Sequence, residues 1–230
     1  MILNRIRKTI DEYNLLEKED KILIAYSGGI DSTSLLLLFL DLREEMGLEL
    51  FLGHFNHKLR SSADEDERFV KKMAQTYSLP LFVGSKEVRS YAKKHRLNLE
   101  EAGRKLRYDF LKKIALKIGA TKIATGHTMN DQTETFFMRL MRGSGLRGLS
   151  GIFPAVEKVI IRPLIQVKRE DIEFFLKKKK VDFRVDESNF DRRFLRNRIR
   201  LDLIPYIQKD FNPEIVTLVE RFVSLLQAEE

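Results

Sequence analysis

The sequence predicts an α/β protein: a doubly wound, mainly parallel sheet flanked by helices, with a short helical extension at its C-terminal end. Two observations carry this expectation. Short aliphatic and β-branched runs alternate with longer segments of helical periodicity, the pattern of parallel βαβ units joined by right-handed crossovers. The first apolar run passes through a glycine turn directly into a second one, KILIAYSGGIDSTSLLLLFL from Lys21 to Leu40, which reads as strand, tight turn and buried helix.

The elements follow in order. The N-terminal MILNRIRKTIDEYN mixes charged and apolar residues at helical spacing. Lys21–Tyr26 is expected as a strand, Thr33–Met46 as a helix, Leu48–Phe55 as a strand, Asp64–Tyr77 as a helix and Leu79–Gly84 as a strand. Ser85–His95 and Leu99–Ile118 read as helices, the second with Leu106, Phe110, Ile114 and Ile118 four apart and facing the sheet. A strand at Thr121–Thr125 and a helix at Asn130–Arg142 complete the alternation. Beyond Arg142 the pattern changes. Gly143–Gly151 is a glycine-rich loop, Val159–Leu164 a short strand, Lys168–Lys178 a helix and Phe183–Arg193 a polar loop. Phe194–Ile204 reads as a basic helix with Pro205 near its end. Pro213–Gln227 is amphipathic, with Ile215, Leu218, Val219, Phe222 and Leu226 on one stripe.

With 230 residues, 43% of them hydrophobic and 33% charged, the chain can form one large soluble domain. The N-terminus lacks a signal peptide's apolar centre, and the apolar runs are too short to cross a bilayer, so a cytoplasmic protein is expected. The absence of cysteine removes disulfides, iron–sulfur clusters and thiolate zinc sites. The net charge of +8 is unevenly placed: residues 139–200 hold 17 Lys+Arg against 8 Asp+Glu, a net of +9, and the remainder sums to −1. A basic segment of this kind suits a polyanion such as nucleic acid, or is a solvated surface.

In parallel sheets ligands bind at the carboxyl ends of the strands. After the first strand, Gly28 and Gly29 let the main chain approach a ligand, while Ser27, Asp31 and Ser32 surround the start of a helix whose free N–H groups attract anions. The loop lacks the lysine of GxxxxGK[ST], so pyrophosphate held partly through a magnesium ion on Asp31 is one reading, and a turn capped by serine and aspartate is the other. Asp131 and Glu134 share a helix face near the same edge, which suits a cationic partner or simple capping.

SGGxDS after an apolar strand resembles the pyrophosphatase loop of the N-type ATP pyrophosphatases. Six further blocks, in order, narrow the likeness: HFNHKLR (His54–Arg60), EAGRKLRYDFL (Glu101–Leu111), ATGHTMNDQTET (Ala124–Thr135), RGSGLRGLSG (Arg142–Gly151), RPL (Arg162–Leu164) and DESNFDRRFLRNRIR (Asp186–Arg200). Together they are similar to the tRNA(Ile)-lysidine synthetase family over roughly Ile22 to Pro205. The resemblance implies ATP-dependent adenylation of the wobble cytidine in a CAU anticodon of isoleucine tRNA, then attack by free L-lysine. It implies ATP contacts from Ser27, Gly28, Gly29, Ile30, Asp31, Ser32, His54 and His127, with Mg2+ on Asp31. Asp131 and Glu134 are implied to hold the lysine substrate, and Asp31, Arg104, Arg107 and Asp131 to carry catalysis. Arg104 and Arg107 are candidates for ATP, the tRNA backbone or the lysine carboxylate, and Arg60 for phosphate or RNA. Arg142, Arg147, Arg192, Arg193, Arg196, Arg198 and Arg200 are the expected RNA contacts.

Two alternatives stand beside this reading: a tRNA thiolase, disfavoured by the missing cysteines, and a non-catalytic RNA-binding module that keeps the ATP loop. Residues 1–211 are expected to form the catalytic domain, with 139–200 facing RNA. Residues 212–230 are a C-terminal helix that packs on it or begins a further domain, so the chain is either a minimal enzyme or part of a longer one.

Overall fold

The computed structural model describes residues 2–58 and 63–229. The elements run α1 (Ile2–Tyr13), β1 (Lys21–Ala25), α2 (Ile30–Met46), β2 (Glu49–Asn56), α3 (Ala63–Thr76), β3 (Leu81–Ser85), α4 (Val88–His95), α5 (Leu99–Ile118), β4 (Lys122–Ala124) and α6 (Met129–Met141). They continue with α7 (Leu146–Leu149), β5 (Ala155–Val156), β6 (Ile160–Ile161), α8 (Arg169–Lys179), a 3-10 turn (Glu187–Phe190), α9 (Leu195–Arg198), a π turn (Ile199–Leu203), α10 (Ile204–Asp210) and α11 (Ile215–Ala228).

The six strands order as β3-β2-β1-β4-β6-β5, parallel except for the β5–β6 pair. The predicted doubly wound sheet is therefore present. The chain winds outward from β1 to β3, then returns to place β4 on the other side of β1. That reversal opens a crevice at the carboxyl ends of β1 and β4, where ligands bind in such sheets.

Burial explains the central elements. Ile22, Leu23 and Ile24 are fully buried on both faces of β1, as a strand covered by helices on both sides requires. α2 is buried on every face from Ser32 to Phe39, so that stretch lies within the main core cluster, and the charged residues of its last turns reach the surface. On the opposite face α5 supplies Leu111 and Ala115, packed with Leu23 and Ile123. Asn98 caps α5 by accepting from the Glu101 N–H at 2.9 Å, and Gly119, with φ 66°, closes it.

Several boundaries differ from expectation, each for a local reason. α2 begins at Ile30 rather than Thr33 because Gly29 serves as its N-cap. α4 begins at Val88 because the Glu87 carboxylate caps it. β6 keeps only two of the expected residues and pairs with the unforeseen β5, while the glycine-rich segment contains the short α7. The expected continuous helix Phe194–Ile204 is instead α9, a π turn and α10; Pro205 lies in the first turn of α10, where its missing N–H costs no bond. On α11 the buried stripe is Val216, Val219 and Val223, with Leu218 and Phe222 partly exposed. α11 packs on α6, and its Val216 joins Met129, Ile199 and Ile204 in one cluster. Among the described residues no helix is long and apolar enough to cross a membrane.

Candidate nucleotide and carboxylate site

The loop between β1 and α2 has the conformation its sequence requires. Gly28 adopts φ +80°, and a Cβ there would stand 3.0 Å from the Phe69 ring. Ser32 Oγ donates to the Gly29 carbonyl at 3.0 Å and lies 3.1 Å from Ser27 Oγ, drawing the loop into a cradle around the first turn of α2. The N–H groups of that turn have no partner within the helix, so they and the helix dipole favour an anion in front of Ile30. His54, from β2, is buried with Nδ1 3.0 Å from the Tyr26 carbonyl oxygen. Burial pushes its pKa down, and the ring positions the strand end just before Ser27. Arg60 lies outside the described residues.

The segment after β4 meets this cradle directly. A Cβ on Gly126 would lie 3.1 Å from the carbonyl carbon and oxygen of Asp31, so a side chain there would push this segment away from the first turn of α2. His127 Nδ1 is 2.9 Å from Thr125 Oγ1. Burial, opposed by Asp131 and reinforced by Arg162, Arg107 and Arg196, lowers its pKa to about 3, so the ring is neutral near pH 7. Thr128 and Asp131 form a reciprocal capping box at the start of α6: Asp131 Oδ2 accepts from the Thr128 N–H at 2.9 Å.

Three carboxylates meet here. Asp31 is raised to about 7, first by burial and then by Asp131, against the pull of Arg169 and Arg200. Its Oδ1 is buried without a hydrogen-bond partner, and Oδ2 lies 3.9 Å from Arg169. Asp131 is held at about 2: burial alone would raise it, and Arg196, His127 and Arg200 outweigh that. Glu134 is fully buried and accepts from Arg196 Nε at 2.7 Å and from Arg200 at 2.5 and 2.9 Å. Arg196 also donates to Asp131 at 2.7 Å.

These contacts redistribute the predicted residues. Ser27, Gly28, Gly29, Ile30, Asp31, Ser32, His127, Asp131 and Glu134 gather around the β1–β4 crevice, whereas His54 lies on the β2 side of β1, bonded to the Tyr26 carbonyl and near Glu67, Asp66 and Lys71 of α3. Arg196 and Arg200 do not extend the exposed basic face expected of them; four residues apart, they turn inward onto Glu134, while Arg198 between them stays exposed. Arg142, Arg147, Arg192 and Arg193 are exposed. Arg104 and Arg107 flank the Tyr108 ring at 5.3 and 5.5 Å. Arg162, Arg107 and Arg104 draw the Tyr108 hydroxyl below its usual value although burial alone would raise it. The Nε atoms of Arg107 and Arg162 are buried and without partners. That neighbourhood is positive and undersatisfied, which suits an anion.

Sequence reasoning missed two residues. Arg169 faces Asp31 from the start of α8, and Arg184 ties the later segment to the loop through its N–H on the Gly28 carbonyl at 2.8 Å. Neither carries a local motif; each is brought in by a long-range turn.

The family profile of the PP-loop domain matches residues 2–207. The chain belongs to the PP-loop domain family. Among curated relatives, it is 43% identical to a tRNA(Ile)-lysidine synthase of Thermosipho africanus, over 96% of this chain and 52% of that protein. It is 40% identical to one from Clostridium tetani, over 96% and 47%, and 41% identical to one from Geobacter sulfurreducens, over 100% and 49%. The chain thus spans about half the length of these relatives. Of solved structures, a tRNA thiolase from Methanococcus maripaludis with its 4Fe-4S cluster superposes at TM-score 0.82, over 98% of this chain and 78% of that one, at 16% identity. An NAD synthetase from Campylobacter jejuni superposes at 0.53, over 97% and 92%, at 11% identity. At such identities these two establish the PP-loop fold, and this PP-loop domain has no cysteine with which to hold a cluster.

Proposed function

We propose that this PP-loop domain performs the adenylation and ligation steps of lysidine formation: ATP activates the wobble cytidine of an isoleucine tRNA with a CAU anticodon, and free L-lysine displaces AMP. The observation that carries the reading is the cluster of Asp31, Asp131 and Glu134 set against the anion cradle of Ser27–Ser32 in one crevice. It joins an anion site to a carboxylate site, as ligation of a cationic amino acid through a nucleotide intermediate requires. The names of the relatives supply the substrates.

The cytidine O2 attacks the α-phosphate of ATP, and the O–P bond to pyrophosphate breaks as the new O–P bond forms. Pyrophosphate leaves into the cradle, where the N–H groups of α2 meet its charge. The lysine ε-amine then attacks C2 and releases AMP. Neutral His127 and the guanidiniums of Arg107 and Arg162 offer donors to the α-phosphate region, with Asp131 beside His127 held by Arg196. No side-chain nucleophile is required, so the chain contributes mainly positioning and fixed charge.

A magnesium ion fits Asp31: one buried oxygen without a partner, at a helix start facing phosphates, matches an ion held by one carboxylate plus substrate and water oxygens. When bound it would neutralise charge on the polyphosphate. Among the described residues no group of three metal-ligating side chains exists, so the remaining ligands would come from ATP and water. For lysine, Asp131 and Glu134 are already paired, so an ammonium group enters by replacing a guanidinium, an exchange that leaves the local charge balance unchanged. A cytoplasmic setting accompanies this reading, since ATP, lysine and tRNA are all found there.

The deciding experiment supplies ATP, labelled lysine and a CAU-anticodon isoleucine tRNA transcript. Lysine incorporated into RNA in step with AMP release supports the proposal. AMP formation driven by a different acceptor, with no lysine in the RNA, sinks it.

A further inference from the structure

The segment from Arg184 to Asn197 is anchored at both ends to the crevice. At one end Arg184 forms a parallel bridge to Gly29, and its guanidinium donates to Asp66 at 2.9 Å and Glu65 at 3.0 Å on α3. At the other, Arg196 grips Asp131 and Glu134 on α6. Asn197, buried, donates to the Asp191 carbonyl at 2.9 Å and fixes the bend before α9. The segment therefore runs as a strap from the pyrophosphatase loop to the carboxylate helix, along the rim of the crevice.

What the strap exposes is unusual for a polar loop. Phe190 is 59% and Phe194 47% exposed, and neither makes a ring contact among the described residues. Between them stand Arg192 and Arg193, with side chains 67% and 88% exposed. Arg192 is paired to Asp202 at 3.1 Å and Arg193 to Asp191 at 2.7 Å, in surface ion pairs that a phosphate can replace. A single exposed phenylalanine needs no explanation, but two rings interleaved with exposed guanidiniums on a segment tied to the site do. Apolar protein partners would not call for the arginines, whereas single-stranded nucleic acid presents π-faces and phosphates together. A base that reacts must also leave its stack, and its neighbours then lose stacking on that side.

We propose that Phe190 and Phe194 form a stacking platform for unpaired bases of the RNA beside the reacting nucleotide, with Arg192 and Arg193 meeting the adjoining phosphates. The strap thereby holds the splayed loop in register with the crevice. This rests on the RNA substrate proposed above, and the test separates the two.

The chain contains no tryptophan, so Phe190→Trp and Phe194→Trp each install a single reporter. Phe174→Trp, at an exposed position on α8 outside the strap, is the control. Titration with a CAU anticodon stem-loop RNA at fixed ionic strength should quench the two strap reporters and leave the control unchanged. Phe194→Leu, which keeps an apolar side chain without a ring, should weaken binding about tenfold with an unchanged Tm and salt slope; Phe194→Tyr should restore it. If the wild-type chain binds RNA but the strap reporters stay unquenched and Phe194→Leu binds equally well, the platform is overturned and the RNA reading survives. If the wild-type chain binds no RNA, the functional reading fails and the platform with it. Quenching that grows with protein concentration in the absence of RNA would assign the patch to a second copy of the chain and overturn the proposal.

Discussion

The pyrophosphatase loop and the arginine segment at 192–200 both announce themselves as charged or polar motifs, yet they are built by opposite means. In the loop, geometry follows from the backbone: a glycine at φ +80° leads into the free N–H groups at the start of α2, which favour an anion. In the arginine segment, identical side chains divide by direction. Arg198 faces water, whereas Arg196 and Arg200 enter a buried network with Asp131 and Glu134. Local chemistry assigns the first region, and only packing assigns the second.

The strongest way to break this comparison is Glu134→Ala. It leaves two guanidiniums facing one remaining carboxylate in a buried site, a loss of about 3–5 kcal/mol. At about 2–4 °C per kcal/mol for a chain of this size, the Tm should fall by roughly 10 °C. A fall within about 2 °C in a calorimetric scan would mean that the arginines are free, as the sequence suggested.

Asp31→Asn should split stability from activity. Asp31 sits at about 7 in the fold against an ordinary value of 3.8, so its contribution to stability is complete below pH 3.8 and is lost as pH rises through about 7. The uncharged variant escapes that loss. Its stability advantage over wild type should grow between about pH 4 and pH 7 and level off above, in urea titrations across that range. Pyrophosphate release from ATP should meanwhile fall by about 100-fold. A pH-independent stability difference would remove the buried-charge assignment.

Gly28→Ala tests the loop's dependence on its backbone. The left-handed conformation costs about 1–2 kcal/mol with a side chain, and the Phe69 contact adds to it. ATP binding measured by calorimetry should weaken more than global stability does. Equal affinity in the variant would mean that the turn is only a bend.

The smallest effect is expected at Arg198→Ala. Stability should stay within about 0.5 kcal/mol, while the dependence of RNA binding on log salt should shallow by about one phosphate contact. Arg196→Ala should instead destabilise the fold, which sharpens the division between the two faces of α9.

Much of the fold was legible because it depends on local pattern. The alternation of strands and helices, the bounds of Leu99–Ile118 and the turn after β1 all rest on periodicity and capping, which neighbouring residues decide. The gathering of Asp31, Asp131 and Glu134 was also within reach, since all three follow strands that end at one edge. The contacts of Arg169 and Arg184 were not legible, because each meets its partner across more than 100 residues of chain, and no local spacing records such a meeting. Nor was the π turn that lets Pro205 begin α10, or the burial of Val216 and Val223 beside the expected Val219 on α11.

By itself, then, the sequence determined that a glycine turn presents α2's free N–H groups at the carboxyl edge of a parallel sheet. The backbone preferences of glycine and the geometry of a helix start do not wait on distant partners. Which guanidiniums stay at the surface and which neutralise the buried carboxylates was decided only in the tertiary structure. A charged side chain goes wherever its desolvation is best compensated, and that compensation comes from residues far away along the chain.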